Sequence, residues 1–573
     1  MSIFRKRYQL PPEPEEERSK RSRQFRLRAA LCIVSGLLLG ASFPPSTLGI
    51  LACFGLVPLL IVLADIDEIG AGLRYSYLAF LIFHTITLNW TGGYAHGKDP
   101  YMMIAGAVTM VVHPLFYFIP MLVYLVTKKQ FGEKAALAVL PFAWVGYEYT
   151  HTLSEWSFPW VTIGNSQSYE LARMQFISTT GVLGLSFWVI LLNVLAFLLY
   201  SALAHRRERR IPRSAVVLLA GFLVLYYLPA LYGWKVLSYA PHTPDGLTLG
   251  EKTITVGMIQ ANVDPWDKWT QNGYVTLERY LDFTATLVDT ARERRPDLVL
   301  WPETAVPYDL HSELNRPLFL RVRDRISESH VSVLAGMPYF VFYKDSLSAP
   351  RSAKRRKFTG ERYDAFNAAI LIQPNEEELP WYGKMKMVPI AERIPYAEVF
   401  AFVDFLRWGV GIGGWQIGPQ QTIFTEKRTG TKFCALICYE SVYPGFVASF
   451  VRGGAEFISI ITIDSWWDRM SGAFQHERFA LFRAVENRRW LARCAVGGIS
   501  CYIDPYGRLY DETELFTTRT LNRTIGRSTE LTYYSEHGDW LGQVCLWISG
   551  VFLAAIVGQL FKNKMRAQQW QTR

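Results

Sequence analysis

The first 240 residues alternate long apolar runs with short polar joints. A helix needs about 20 predominantly apolar residues to cross a bilayer, and seven runs near that length are read here, at about 27–41, 48–64, 75–90, 102–127, 135–149, 175–204 and 215–239. An eighth, near 540–560, follows a long polar segment. The arm before the first run is rich in Pro, Glu and Arg, and no small-residue cleavage pattern follows that run, so it is expected to be an uncleaved anchor.

Residues 250–525 carry a different pattern. Short β-branched runs at 254–259, 298–301, 331–335 and 457–461 predict buried strands. Amphipathic stretches at 275–294, 318–329 and 476–492 predict helices between them, an alternation that implies layered sheets covered by helices. The basic segment 346–361, with Arg351, Lys354, Arg355, Arg356 and Lys357, interrupts this pattern and reads as a solvated loop. The predicted organisation is a basic cytoplasmic arm (1–26), a seven-span membrane domain (27–240), an α/β domain (250–525), a C-terminal transmembrane helix (540–560) and a cytoplasmic tail (561–573).

Composition agrees with two populations averaged together: of 573 residues 50% are hydrophobic and 19% charged, too apolar for a disordered chain and too polar for membrane spans alone. The net charge of +10 could mean nucleic acid or anionic lipid, but its placement points to topology. Lys and Arg number nine in the arm to Arg28, three in the joint 128–134, five in the joint 205–213 and four in the tail from Lys562. The alternate joints 91–100 and 152–172 hold one and none. The positive-inside rule then puts both termini in the cytoplasm and the α/β domain outside, which removes the main support for nucleic-acid binding.

Seven cysteines form no CxxC pair and no zinc spacing. Cys434 and Cys438, if they share a strand, stand roughly 13 Å apart, beyond disulfide reach. His84, His96, His113 and His151 have no second ligand at helical spacing and read as hydrogen-bonded membrane residues. No metal or cofactor is expected.

Three clusters place a reactive side chain beside a turn at the end of an apolar run, where α/β enzymes keep catalytic groups. Glu303 follows Leu298-Val299-Leu300-Trp301-Pro302, rigid and partly desolvated, as a general base requires. Lys384, in Tyr382-Gly383-Lys384-Met385-Lys386-Met387-Val388-Pro389, could donate to an oxyanion. Cys438, in Ile437-Cys438-Tyr439-Glu440, is a thiol at a strand end. Taken singly, each is as well read as a solvated cap, a surface charge or a small buried hydrophobe.

Their order and contexts together resemble the Glu-Lys-Cys triad of the nitrilase superfamily. Gln260 and Asn262 after the first strand, the helix Arg483-Ala484-Val485-Glu486-Asn487-Arg488 and the turn Asp504-Pro505-Tyr506-Gly507-Arg508 are similar too. A nitrilase-like domain inserted before the last of eight spans resembles the apolipoprotein N-acyltransferase family, as do Phe158-Pro159-Trp160 with Gly164 and Gln167, and Gly181-Val182-Leu183-Gly184. The resemblance implies an extracytoplasmic αββα sandwich on a polytopic helical membrane domain, in the cytoplasmic (inner) membrane of a bacterium.

It also implies roles. Cys438 is the nucleophile, Glu303 the base, Lys384 the oxyanion donor and Glu392 the second glutamate that orients the lysine; Lys386 does not match the motif. Tyr439 and Glu440 shape the pocket, and Trp269 falls where the family carries a substrate-contacting tryptophan. The implied reaction moves an acyl chain from a membrane phospholipid, through a thioester, to the α-amine of a diacylglyceryl-cysteine lipoprotein, by an enzyme working as a monomer. Trp466, Trp467 and Phe446 are read either as an apolar lid or as packed core. Ile463 replaces the first member of the family's Asn-Asp pair, and Val496-Gly497 replaces an Asn-rich turn. Two other readings are a membrane-tethered amidase or nitrilase-type hydrolase with water as acceptor, and a non-catalytic membrane binding or transport protein.

Overall fold

The computed structural model describes residues 15–93, 100–204, 211–241, 243, 245–248, 250–266, 273–291, 294–343, 349–350, 353–356, 359–396 and 414–571. Among the described residues five helices are long and apolar enough to cross a membrane: Glu15–Ala41, Met102–Phe131, Val182–Ala204, Arg213–Ser238 and Trp540–Arg566. Val217 and Val224 on the fourth, and Trp547 and Val551 on the fifth, are exposed, as apolar faces are when lipid is the solvent. The runs at 75–90 and 135–149 lie in the helices Ile69–Leu88 and Glu133–His151. The run at 48–64 departs from expectation. It folds as a 3₁₀ turn, Gly49–Cys53, and a helix Val57–Ala64 of eight residues. The run at 175–204 is broken at Gly181, and its long helix starts at Val182.

Small residues set the helix spacing. A Cβ at Gly36 would lie 2.5 Å from the Ala79 carbonyl and 2.6 Å from Ile82 Cβ, so glycine lets the helices Glu15–Ala41 and Ile69–Leu88 touch backbone to backbone.

The α/β part has two sheets. The first contains β1 (Thr253–Gln260), β2 (Leu298–Leu300), β3 (Ser332–Tyr343), β4 (Lys354–Arg355), β5 (Arg362–Ile372) and β6 (Trp381–Gly383). The second contains β7 (Phe424–Glu426), β8 (Thr431–Ile437), β9 (Phe457–Ile463), β10 (Leu491–Val496), β11 (Cys501–Ile503) and β12 (Leu509–Tyr510). β13 (Arg519–Gly526) returns to pair with β1, giving the orders β13-β1-β2-β3-β5-β4, with β6 on β5, and β12-β11-β10-β9-β8-β7.

Within each sheet three strands run parallel, β1-β2-β3 and β8-β9-β10. Parallel neighbours need crossover connections, and the helices Gly273–Thr290, Arg316–Ser329, Pro444–Arg452 and Ser471–Asn487 supply them. The sheets meet face to face: Tyr502 Oη donates to the Val256 carbonyl at 2.6 Å, and Cys494 Sγ lies 3.3 Å from the Leu300 carbonyl. All seven residues of β9 are buried, which is why that strand reads as a continuous apolar run.

The stretch expected to be helical at 476–492 is displaced, because Leu491 and Ala492 already belong to β10. Lys354 and Arg355 pair with β5 as an edge strand rather than lying in a free loop; Arg351 and Lys357 lie outside the described residues. Such a charged edge blunts further strand addition.

The turn after β2 is shaped by β3. Trp301 N–H donates to the Leu334 carbonyl and Val306 N–H to the Gly336 carbonyl. A Cβ at Gly336 would stand 2.7 Å from both Glu303 Cα and the Pro302 carbonyl, and close against Thr304 N. Gly336→Ala is therefore expected to push the Glu303 turn off the sheet, at a cost of about 1–3 kcal/mol. A lowered unfolding temperature in detergent checks this; an unchanged temperature with unchanged reactivity at Cys438 refutes it.

Candidate active site

The groups that follow β2 and β8, strands of different sheets, meet at one place together with a third group that follows the short strand β6. Glu303 follows β2, Lys384 follows β6 and Cys438 follows β8. Each is almost wholly buried. Lys384 Nζ donates to Glu392 Oε1 at 2.6 Å and lies 3.6 Å from Glu303 Oε1. Asn367, on β5, donates to Glu303 Oε1 at 2.7 Å and accepts the Lys384 N–H on its backbone carbonyl at 2.8 Å. One residue thus orients base and lysine together.

Cys438 opens a 3₁₀ turn, Cys438–Val442, with φ of +54°. A non-glycine residue held left-handed stores roughly 1–2 kcal/mol and persists only where its surroundings enforce it. Glu440 does part of that. Its carboxylate accepts from Tyr382 Oη and Met385 N, both at 2.6 Å, from Lys386 N at 3.2 Å, and from Ile437 N at 2.8 Å. The lysine segment and the cysteine turn are therefore bolted to one buried carboxyl, which burial pushes up to about 7.

Burial pushes the Cys438 thiol well above its usual range, and the Glu303 carboxylate adds to this while the Lys384 ammonium opposes it. Burial works against charge on Lys384, but Glu392 and Glu303 outweigh it and hold the ammonium well above the ordinary lysine range. Glu392 is raised by burial and partly restored by Lys384; its other oxygen accepts from Val388 N at 2.9 Å. A protonated thiol beside a carboxylate, with a fixed ammonium between two glutamates, can run acid–base steps without bulk water.

The site faces the membrane helices. Tyr439 stacks on Phe158 and Trp160 and donates to the Ser157 carbonyl at 3.1 Å. Trp467 packs against Trp90, Trp160 and His476, and Trp466 against Trp266. Phe446 lies on Phe450 and under the Lys386 ammonium. Trp269 and His96 lie outside the described residues. His84, His113 and His151 form one hydrogen-bonded chain, with nitrogens 2.8 and 3.0 Å apart. Among the described residues no three metal-ligating side chains converge on one point, and all seven cysteines are free.

Residues 35–195 match the apolipoprotein N-acyltransferase N-terminal domain and residues 255–532 the carbon-nitrogen hydrolase family. An apolipoprotein N-acyltransferase of Chlorobaculum tepidum is 34% identical, covering 91% of this chain and 95% of that protein. The chain belongs to the apolipoprotein N-acyltransferase family. A second member, from Geobacter metallireducens, is 30% identical over 93% of this chain and 95% of its own. An amidase from Nesterenkonia sp. aligns with 52% of this chain and 98% of its own at 16% identity, with a TM-score of 0.34.

Of the family-like positions read from sequence, Glu303, Lys384, Glu392 and Cys438 converge, and Tyr439 and Glu440 flank them. Asn367, Ser441, Gln475, His476 and Arg493 sit in no motif whose spacing announces them, and Asp464 is the retained member of the family's Asn-Asp pair. At the two departures from the family pattern, Ile463 ends β9 as buried core, and Gly497 turns with φ of +60° beside Ser465.

With its thiol held protonated, Cys438 is expected to be alkylated by iodoacetamide at a rate that keeps climbing above pH of about 8.5, where an ordinary thiol levels off. Lys384→Ala removes the cation that favours thiolate and should slow alkylation at any given pH. Peptide mass mapping of the intact detergent-solubilised protein reads both; early levelling, or faster alkylation in the variant, contradicts the electrostatics described.

Proposed function

We propose that this chain is a phospholipid:apolipoprotein N-acyltransferase whose thioester forms on Cys438. The observation that carries the reading is the buried Glu303–Lys384–Cys438 cluster standing, through Tyr439, against the 152–172 joint of the membrane part. Family membership supports the acyltransferase chemistry.

In the first half-reaction Cys438 Sγ attacks the ester carbonyl of a membrane phospholipid while Glu303 takes the thiol proton. Lys384 Nζ donates to the oxyanion, held in place by Glu392. The tetrahedral intermediate collapses to the thioester, and Glu303 returns the proton to the leaving lysophospholipid oxygen. In the second, the unprotonated α-amine of a diacylglyceryl-cysteine attacks the thioester, Glu303 takes a proton from nitrogen, and Sγ leaves and is reprotonated. Dividing one difficult aminolysis into two transfers is the gain of covalent catalysis, and two lipid-anchored substrates meet a fixed thiol at high effective concentration. Glu440, saturated by four donors, acts as a brace rather than a pocket wall; Tyr439 docks the catalytic part on the membrane part.

The architecture is proposed as a seven-span domain at 27–240, an αββα sandwich at 250–525 and an eighth span at 540–560, flanked by a basic arm and tail. Both ends are cytoplasmic and the sandwich faces outward, in the inner membrane of a bacterium, as a monomer. The placement of basic joints supports this orientation. The short run at 48–64 is included because it joins two opposite joints. Gln167 donates to the Gly49 carbonyl at 2.8 Å, and Lys128 to the Leu63, Ala64 and Ile66 carbonyls at 2.5–3.0 Å. A 3₁₀ turn rises about 2 Å per residue against 1.5 Å for an α-helix, so it lengthens a short segment.

Incubation of the full chain in nanodiscs with phospholipid should add one acyl mass at Cys438, discharged by a diacylglyceryl-cysteine peptide. Cys438→Ala should acquire none, and Lys384→Ala should acylate roughly 10²–10³-fold more slowly, the usual loss of an oxyanion donor. Discharge by water alone would move the assignment to a hydrolase, and acylation of Cys438→Ala would end the nucleophile assignment.

A further inference from the structure

Behind Cys438 lies a second constellation that the triad chemistry does not use. Ser441 Oγ stands 2.9 Å from His476 Nε2, and His476 Nδ1 stands 3.0 Å from Asp464 Oδ1. This is the order of a serine hydrolase triad. All three residues are buried, and the hydrogen bonds run the wrong way for a nucleophile. Ser441 Oγ lies 2.8 Å from the Cys438 carbonyl, and His476 Nε2 lies 3.2 Å from the same oxygen.

The protons can be assigned by counting. A carbonyl only accepts, and the serine hydroxyl has one proton to give. Were Nε2 unprotonated, Ser441 could satisfy either the imidazole or the carbonyl, leaving acceptors facing acceptors in a dry interior, at about 1–3 kcal/mol for each group left unpaired. With a proton on Nε2, the hydroxyl donates to the Cys438 carbonyl and the imidazole donates into the same pair. Nδ1 does not change this. It faces both Arg493 Nη2, at 3.0 Å, and Asp464, whose other oxygen holds Arg493 at 2.7 Å. With the single proton of a neutral imidazole on Nε2, Nδ1 accepts from Arg493, and Asp464 Oδ1 is satisfied by the Thr462 hydroxyl at 3.2 Å.

The preceding residue points the other way. Gln475 Oε1 accepts from Trp90 Nε1 at 2.9 Å and Trp160 Nε1 at 2.7 Å, while its Nε2 donates to the Pro44 carbonyl at 2.9 Å and the Thr87 carbonyl at 3.1 Å. All four groups belong to the membrane part, and all four bonds that the amide offers are used. Adjacent residues on one helix, Ser471–Asn487, therefore grip the membrane helices and the backbone of the cysteine.

We infer that His476 is a positioning residue that fixes Cys438 in its left-handed conformation through the Cys438 carbonyl, and that Gln475 makes this position depend on the seating of the membrane helices. The inference rests on the assignment of Cys438 as the acylated nucleophile. A displacement of about 1 Å at a reacting atom can cost 10²-fold in rate, so a clamp on the nucleophile's own carbonyl acts on turnover and not on donor binding.

The test compares His476→Gln, whose side-chain amide keeps a donor near the Nε2 position, with His476→Asn, whose amide reaches only the Nδ1 position. Ser441→Ala and Gln475→Glu are measured beside them, all as full chains in nanodiscs, by the rate of acyl mass gain at varied phospholipid. His476→Asn should lower the maximal acylation rate roughly 10- to 100-fold with the half-saturating phospholipid concentration unchanged, and His476→Gln should restore most of it. Ser441→Ala, the mildest change, should move the same parameter in the same direction. Gln475→Glu, which sets a carboxylate against two carbonyls, should lower the acylation rate too, although it does not touch the cysteine turn. Equal losses in His476→Gln and His476→Asn, or wild-type rates in both, overturn the inference, as does acyl mass on Ser441 in Cys438→Ala. A wild-type protein that gains no mass on Cys438 defeats the underlying assignment instead.

Discussion

Lys384 keeps an ammonium where no water reaches it, and the rest of the active site is arranged around that charge. An isolated buried ion costs several kcal/mol even after relaxation, so the site is stable only with counter-charges and hydrogen bonds already in place. Glu392 supplies the close contact at 2.6 Å and Glu303 the distant one at 3.6 Å. The asymmetry has chemical content. The tight pair holds the lysine, while the looser carboxylate is the one proposed to exchange a proton with Cys438. Asn367 donates to the same Glu303 Oε1 at 2.7 Å and so shares that oxygen with the ammonium.

That demand explains which parts of the molecule could be read in advance. Burial on both faces turns β1, β2, β3 and β9 into plain apolar runs, and the need for a base, a cation and a thiol at strand ends leaves Glu303, Lys384 and Cys438 in recognisable surroundings. Asn367 leaves no such trace, because a single amide within the apolar strand β5 is indistinguishable from an ordinary buried polar residue. Gln475 and His476 were hidden for a different reason. The partners of Gln475 lie more than 300 positions away along the chain and those of His476 on other elements 12 to 38 positions away, and a helix period records which face is buried without recording what the face grips. The form of the run at 48–64, a 3₁₀ turn before a short helix, is not legible in hydropathy, which counts residues and carries no information on rise per residue.

The junction between the two parts sets buried polar contacts beside its aromatic ones. Gln475, Glu486 and Arg488 bind Trp160, Val182 and Gln175 of the membrane part. Apolar contact alone is non-directional and tolerates sliding. Hydrogen bonds made away from water are directional and costly to leave unmade, so they fix a register. A catalytic part that takes one substrate from the bilayer and acts with a buried thiol needs that register, since its acyl chain must arrive in line with Sγ.

Holding the thiol protonated also has a consequence for when the site becomes reactive. A standing thiolate in a membrane enzyme would meet any electrophile or oxidant that diffuses in. Here burial and the Glu303 carboxylate keep the proton on sulfur, so in the proposed mechanism nucleophilicity appears only as the proton moves to Glu303 during attack. In that mechanism the charge that leaves sulfur develops on the ester oxygen, where the Lys384 ammonium would receive it. The low-dielectric interior that penalises the resting thiolate is the same one that strengthens the ammonium's hold on the oxyanion, and one burial thereby quiets the free enzyme and favours its transition state.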